Sequence, residues 1–199
     1  MARRTEQKAA TREEILEAAR GLFAARGWEG TTTKAVAEVA GVAIGTVFLH
    51  FPDKAALLGA ALADRIATTL AAAEATLPAQ GILAQLTHLA GALYRMYAES
   101  PPLSRVLVKE SLFLTEGEAA AVARAQVERF SHQVAALLDA ARIRGEVDRS
   151  VDPRLGASAF FGLYFAVLVA GLRDGLRPEA QVELLRSLLD QYFRPGRRA

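Results

Sequence analysis

The chain has no cysteine in 199 residues, which excludes disulfides and thiolate metal sites and leaves its redox compartment open. Histidine is nearly as scarce, with His50, His88 and His132 the full set, so a nucleophile that needs a histidine base has few places to find one. No GxSxG, HExxH, P-loop or GxGxxG spacing occurs. Glu128 and His132 lie four apart, but bundles that hold carboxylate-bridged metals repeat Glu-x-x-His on two helices, and that spacing is absent here. The pair reads as a solvated face, and neither a metal nor a cofactor is expected. Net charge is only +2, too small to argue for a nucleic-acid partner on its own. The N-terminus, MARRTEQKAATREE, is polar and holds no apolar segment of the kind that directs secretion. The longest uncharged run, Leu155 to Leu172, contains three glycines and a serine and is followed at once by Arg173 and Asp174. It sits near the lower limit for a membrane span and reads instead as a buried core or interface helix, with no membrane association.

What the chain does have is apolar and helical in period. Apolar residues make up 52%, rich in alanine, with few alternating β-branched runs, which points to an all-α fold. Thr11 and Glu14 form a capping-box pattern ahead of Ile15, Leu16, Ala19, Leu22 and Phe23, a helix that Gly27 ends. Residues Met1 to Ala10 read either as an arm for phosphates or the minor groove or as a solvated tail. An alanine-leucine helix from Lys54 to about Leu77 is too long to belong to a small head alone and would join head to body. Five more helices follow, at about 82–98, 101–114, 117–144, 153–174 and 178–193, the penultimate one capped by Asp152 with Pro153 in its first turn.

One stretch organises the rest, TTTKAVAEVAGVAIGTVFLHFPDK from Thr31 to Lys54. Threonine hydroxyls cap a short helix whose Val36, Val39 and Ala40 recur at helical spacing, and Gly41 stops it. A second short helix puts Val47 and Phe51 on one face with Val42, and Gly45, Thr46 and Leu49 on the other. Asp53 then caps the next helix, which Lys54 begins. Two short helices across a glycine turn make a helix-turn-helix, whose second helix enters the DNA major groove.

Together with ILEAARGLFAARGWEGTT upstream and KAALL downstream, this segment resembles the DNA-binding domain of TetR-type transcriptional regulators. It departs from that family at Ala43, where a serine is usual, and at Phe48, where a tyrosine hydroxyl normally reaches a phosphate. The resemblance implies a three-helix helix-turn-helix head, residues 1–53, on a six-helix effector-binding and dimerisation body, residues 54–199, in a cytoplasmic homodimer that represses from a roughly palindromic double-stranded operator. Phosphates would be positioned by Thr32, Thr33, His50 and Lys54, with Lys34 reaching a phosphate or a guanine edge. Ala43, Ile44, Gly45, Thr46, Phe48 and Leu49 would face the bases. A small, largely apolar effector would lie against Leu93, Met96, Phe113 and Phe130, with His88 and Tyr97 as polar anchors. The dimer would pair small residues Ala159, Gly162, Ala166 and Ala170 with Val182, Leu185 and Leu189. A helical-bundle enzyme or a metal- or ligand-binding protein is the alternative, and it leaves the Thr31 to Lys54 pattern unexplained.

Overall fold

The computed structural model describes residues 2–79, 81–112 and 117–193, and among them every regular element is an α-helix. In chain order these are α1 Ala2–Arg26, α2 Thr33–Val39, α3 Ile44–His50, α4 Lys54–Ala75, α5 Ile82–Ala98, α6 Pro101–Ser111, α7 Gly117–Ile143, α8 Pro153–Asp174 and α9 Pro178–Phe193. Two compact units result: Met1–Arg65 with Pro102–Ala123, here the head, and Ile66–Pro101 with Arg124–Ala199, here the body.

The head is built on α1, whose Ile15, Leu16, Ala19, Leu22 and Phe23 are all buried. They meet Val36 and Ala37 of α2, Val47 of α3 and Phe51, each removed from water and worth roughly 1.5–3 kcal/mol for the larger side chains. Thr11 is an interior residue of α1, not its cap, because the helix runs nine residues further toward the N-terminus, from Ala2. Gly27, at φ +66°, ends it as expected. Trp28 then stacks on Phe23, ring centroids 6.1 Å apart. Arg20 ties α1 to α4 through Asp64 at 2.8 Å and the Ala61 carbonyl at 3.3 Å.

In the body, α9 packs between α5 and α8. Ile82, Leu86, Leu89 and Leu93 of α5 are buried, as are Phe160, Tyr164 and Leu168 of α8 and Leu185 and Leu189 of α9. Close approach of α8 and α9 depends on Gly171, where an added Cβ would overlap the Gln181 amide. That amide is buried and donates from Nε2 to the Val167 carbonyl at 3.1 Å. On α7 it is Leu138 that is enclosed while Val127 is exposed, and on α9 Tyr192 turns outward while Phe193 is buried. By length and composition alone α4 and α8 are each apolar enough to cross a membrane.

Candidate nucleic-acid interface and effector cleft

The turn between α2 and α3 is where local chemistry sets global geometry. Gly41 adopts φ +67°, its N–H donates to Glu38 O at 3.3 Å, and Val42 N–H donates to Ala37 O at 3.0 Å. This pair of bonds satisfies the carbonyls left open at the end of α2 and reverses the chain in two residues. The path bends by 108° between α2 and α3, inside the range of roughly 90–120° for a helix-turn-helix.

With Val47 wholly enclosed and Phe51 buried, the outer face of α3 is fixed by helical period. Ile44 is 45% exposed, Phe48 47% and Leu49 75%, unusually open for large apolar side chains. Ala43 and Gly45 are exposed beside them, and Thr46 and His50 are half-buried. Ala43 occupies the N-cap of α3 with no side-chain capping bond, where the family's serine would supply one. Val39, expected to pack inward, is 62% exposed, and Ala37 takes its place in the core.

Of the residues expected to hold phosphates, Thr32 is exposed and its Oγ1 accepts from Ala35 N–H at 3.1 Å as the N-cap of α2. Its own hydroxyl proton remains to be given outward. Thr33 is half-buried and Lys34 exposed, with Glu38 a loose 4.0 Å away. Lys54 departs from expectation. Its ammonium donates to the carbonyls of Trp28 at 2.8 Å and Thr31 at 3.0 Å, and lies 4.0 Å from the Trp28 ring centroid. Two of its three donors therefore close the start of α4 onto the α1–α2 connection. Beside α1 and α2 runs an open trough of about 720 Å³ rimmed by Glu13, Glu14 and Glu17, a surface that repels phosphate.

In the body the sequence-predicted effector residues separate into groups. His88 is not aimed into a pocket: its Nε2 lies 3.0 Å from both Ala73 O and Thr76 Oγ1 at the end of α4. A carbonyl only accepts, so Nε2 carries the proton and the ring binds α5 to α4. Leu93 is buried and Met96 half-buried, whereas Phe113 lies outside the described residues. Tyr97 and Phe130 do converge, around Tyr164 of α8, a residue missed because α8 reads as uniformly apolar. Phe130 meets Tyr164 edge-on at 6.3 Å and Phe160 at 5.9 Å. Tyr94 stacks on Tyr164 at 5.4 Å and donates from its hydroxyl to the Tyr164 carbonyl at 3.1 Å. Burial pushes the Tyr97 phenol up to about 12, opposed by its hydrogen bond with Tyr164. The Tyr164 phenol is raised as well, by burial first and then by its tyrosine neighbours. A serine-free, hydroxyl-bearing position four residues after Phe160 was the available signal.

Phe130 also forms a wall of a cleft of about 360 Å³ between the second half of α4 and α7, which Ile66, Leu70, Glu74, Arg129 and Gln133 help to line. Among the dimer residues, Gly162 and Ala166 are exposed and Ala159 and Ala170 half-buried, along one side of α8 with Leu155 and Val169. Leu185 and Leu189 must be corrected: both are 0% exposed within a single chain and have no surface to offer a partner. Val182 leans on α5, its Cγ2 2.9 Å from where a Cβ on Gly91 would stand. The outward apolar residues of α9 are Leu184 and Tyr192.

The family profile described as bacterial regulatory proteins, tetR family, matches residues 15–61, from α1 through the first turns of α4. The regulator TtgR of Pseudomonas putida is 46% identical over 63 residues, 31% of this chain and 30% of TtgR's own length. The repressor KstR2 of Rhodococcus jostii is 28% identical over 200 residues, covering 96% of this chain and 84% of KstR2. Among solved structures, FadR of Thermus thermophilus, a TetR-family repressor determined with lauroyl-CoA, superposes with a TM-score of 0.66 at 26% identity over 94% of this chain and 98% of FadR. The head, over residues 15–61, thus carries the DNA-binding domain of the TetR family of transcriptional regulators, and the whole chain shares the fold of solved TetR-family regulators.

Proposed function

We propose that the protein is a repressor that binds a palindromic operator as a homodimer and leaves it when a small, largely apolar effector occupies the body. The observation that carries the DNA-binding half is the outer face of α3, where Ile44, Phe48 and Leu49 stand exposed on a helix anchored by Val47. A face this apolar costs free energy in water unless it has a partner. It holds no arginine, asparagine or glutamine, so bases are read through thymine methyl groups and DNA shape, with Gly45 permitting close approach. Thr32, Thr33, Lys34 and His50 supply phosphate contacts at its edges. The trough carrying Glu13, Glu14 and Glu17 faces away from the duplex, since carboxylates set against phosphates are repelled.

Dimerisation rests on the exposed small and apolar side of α8, with Leu184 and Tyr192 of α9 in place of Leu185 and Leu189. Small side chains let a second copy of α8 approach closely, and two-fold symmetry then sets recognition helices about 34 Å apart or at a multiple of it. The effector half is supported by the aromatic group around Tyr164 and by FadR, a relative captured with an acyl thioester. A gel shift with DNA from upstream of the protein's own coding region tests the reading. A discrete complex lost on scrambling the palindrome supports it, and binding that ignores sequence at physiological salt overturns it. An enzymatic role leaves the exposed face of α3 without a purpose.

A further inference from the structure

The cleft between α4 and α7 has a floor and a rim of different chemistry. Ile66, Ala67 and Leu70 of α4 and Phe130 of α7 form its apolar part. Phe130 is 5% exposed and braced edge-on by Phe160 and Tyr164, so this wall is held in place. Glu74, Arg129 and the Gln133 amide stand among the polar lining residues.

Charge decides what such a site accepts. Between Arg65 and Glu74, α4 carries no charged residue, and α7 from Gln126 to Gln133 carries Glu128 and Arg129. Glu74 and Arg129 are the charged residues of the lining, one of each sign, with Arg65 just before Ile66 on α4 and Glu128 beside Arg129 on α7. A coenzyme A thioester brings a diphosphate and a further phosphate, and nothing along these stretches forms a basic track to receive them. An amide beside an apolar floor suits a hydroxyl, carbonyl or amide instead.

We propose that this cleft binds an uncharged, largely apolar molecule with one hydrogen-bonding group, of about a dozen non-hydrogen atoms if each takes up about the 30 Å³ of a water, and that it rejects polyanionic conjugates. The proposal rests on the effector reading above and narrows it, because FadR was captured with lauroyl-CoA and this chain's cleft selects against that class.

The test is calorimetric titration of the full chain, without DNA, using 1-decanol, decanoate and lauroyl-CoA. Decanol is expected to bind saturably and at least tenfold more tightly than lauroyl-CoA, with decanoate between. Ala71→Phe, which adds a ring at an exposed position in the cleft lining, should weaken decanol tenfold with the melting temperature unchanged. Glu128→Lys, at a residue beside the cleft and outside its lining, should tighten lauroyl-CoA several-fold and leave decanol as it was, which keeps the question decidable if Ala71→Phe does not fold. Tighter binding of lauroyl-CoA than decanol by the unaltered chain, absence of saturable decanol binding, or indifference of both ligands to these changes overturns the assignment. A separate gel shift with decanol distinguishes the two readings: decanol that occupies the cleft yet releases no DNA sinks the effector role and leaves the cleft assignment standing.

Discussion

Leu49 and Lys54 show how differently two neighbouring side chains are used. Leu49, 75% exposed, touches nothing that its loss would unfold. Leu49→Ala should therefore relax preference at one thymine per half-site, by about 1 kcal/mol at the low end of what a mismatched pair costs, and leave the salt dependence of binding unchanged. Competition gel shifts over operator variants measure this, and an unaltered base preference would mean α3 reads DNA by some other face. Lys54 instead closes the carbonyls of Trp28 and Thr31. Lys54→Met leaves both acceptors part-buried without that donor and should lower head stability by about 1–3 kcal/mol, visible as an earlier melting transition with the salt slope intact. A shallower slope at constant melting temperature would restore Lys54 to the phosphate contacts. The tyrosines make a pH prediction. Folded Tyr97 has its phenol pushed up to about 12, and Tyr94 and Tyr164 are raised too. The unfolded chain loses those protons first, so stability present below the ordinary phenol range falls as pH rises from about 10 through the folded value. Ultraviolet titration should show a delayed phenolate component that returns to the ordinary range in denaturant.

At the scale of elements, α4 is held at both ends by single polar side chains. Lys54 fixes its first turn within the head, and His88 fixes its last turn within the body through Ala73 and Thr76. His88→Phe keeps a ring of similar size but removes the donor to the Ala73 carbonyl, at a cost of roughly 1 kcal/mol. Hydrogen exchange should then speed up in the last turn of α4 while amides in the middle of α9 keep their protection. Equal loss of protection in both would make His88 a general core residue instead of a local tie. The helices themselves were legible because their period, caps and breakers agree: Asp152 does cap α8, accepting from Arg154 and Leu155 N–H at 2.9 Å each, and Asp53 accepts from Ala56 N–H at 2.7 Å. The start of α1 was not, because a polar stretch with good helix formers carries no apolar stripe to announce it, and an internal Thr-x-x-Glu imitates a cap.

For the whole molecule the decisive prediction concerns assembly. Ala166→Arg places a guanidinium on the exposed side of α8 and should give well-folded monomers in sedimentation at micromolar concentration. Leu189→Ala, enclosed in its own chain, should instead destabilise the fold by about 2–5 kcal/mol and leave the association state of the folded fraction unchanged. If the unaltered protein is already monomeric, the symmetric operator goes with the dimer.

Periodicity along the chain was enough to place the nine helices found among the described residues, apart from the start of α1, and the glycine turn between α2 and α3, since period and breakers act over short stretches. Which side of α9 faces its own body, whether Lys54 points outward, and that Tyr97 and Phe130 meet at Tyr164 were settled only by packing. A helical stripe records that a face is covered, and the covering partner can be the same chain or another. Leu185 and Leu189 carry the same pattern in either case; Gln181, folded onto Gly171 with its amide on the Val167 carbonyl, is what turns that stripe inward.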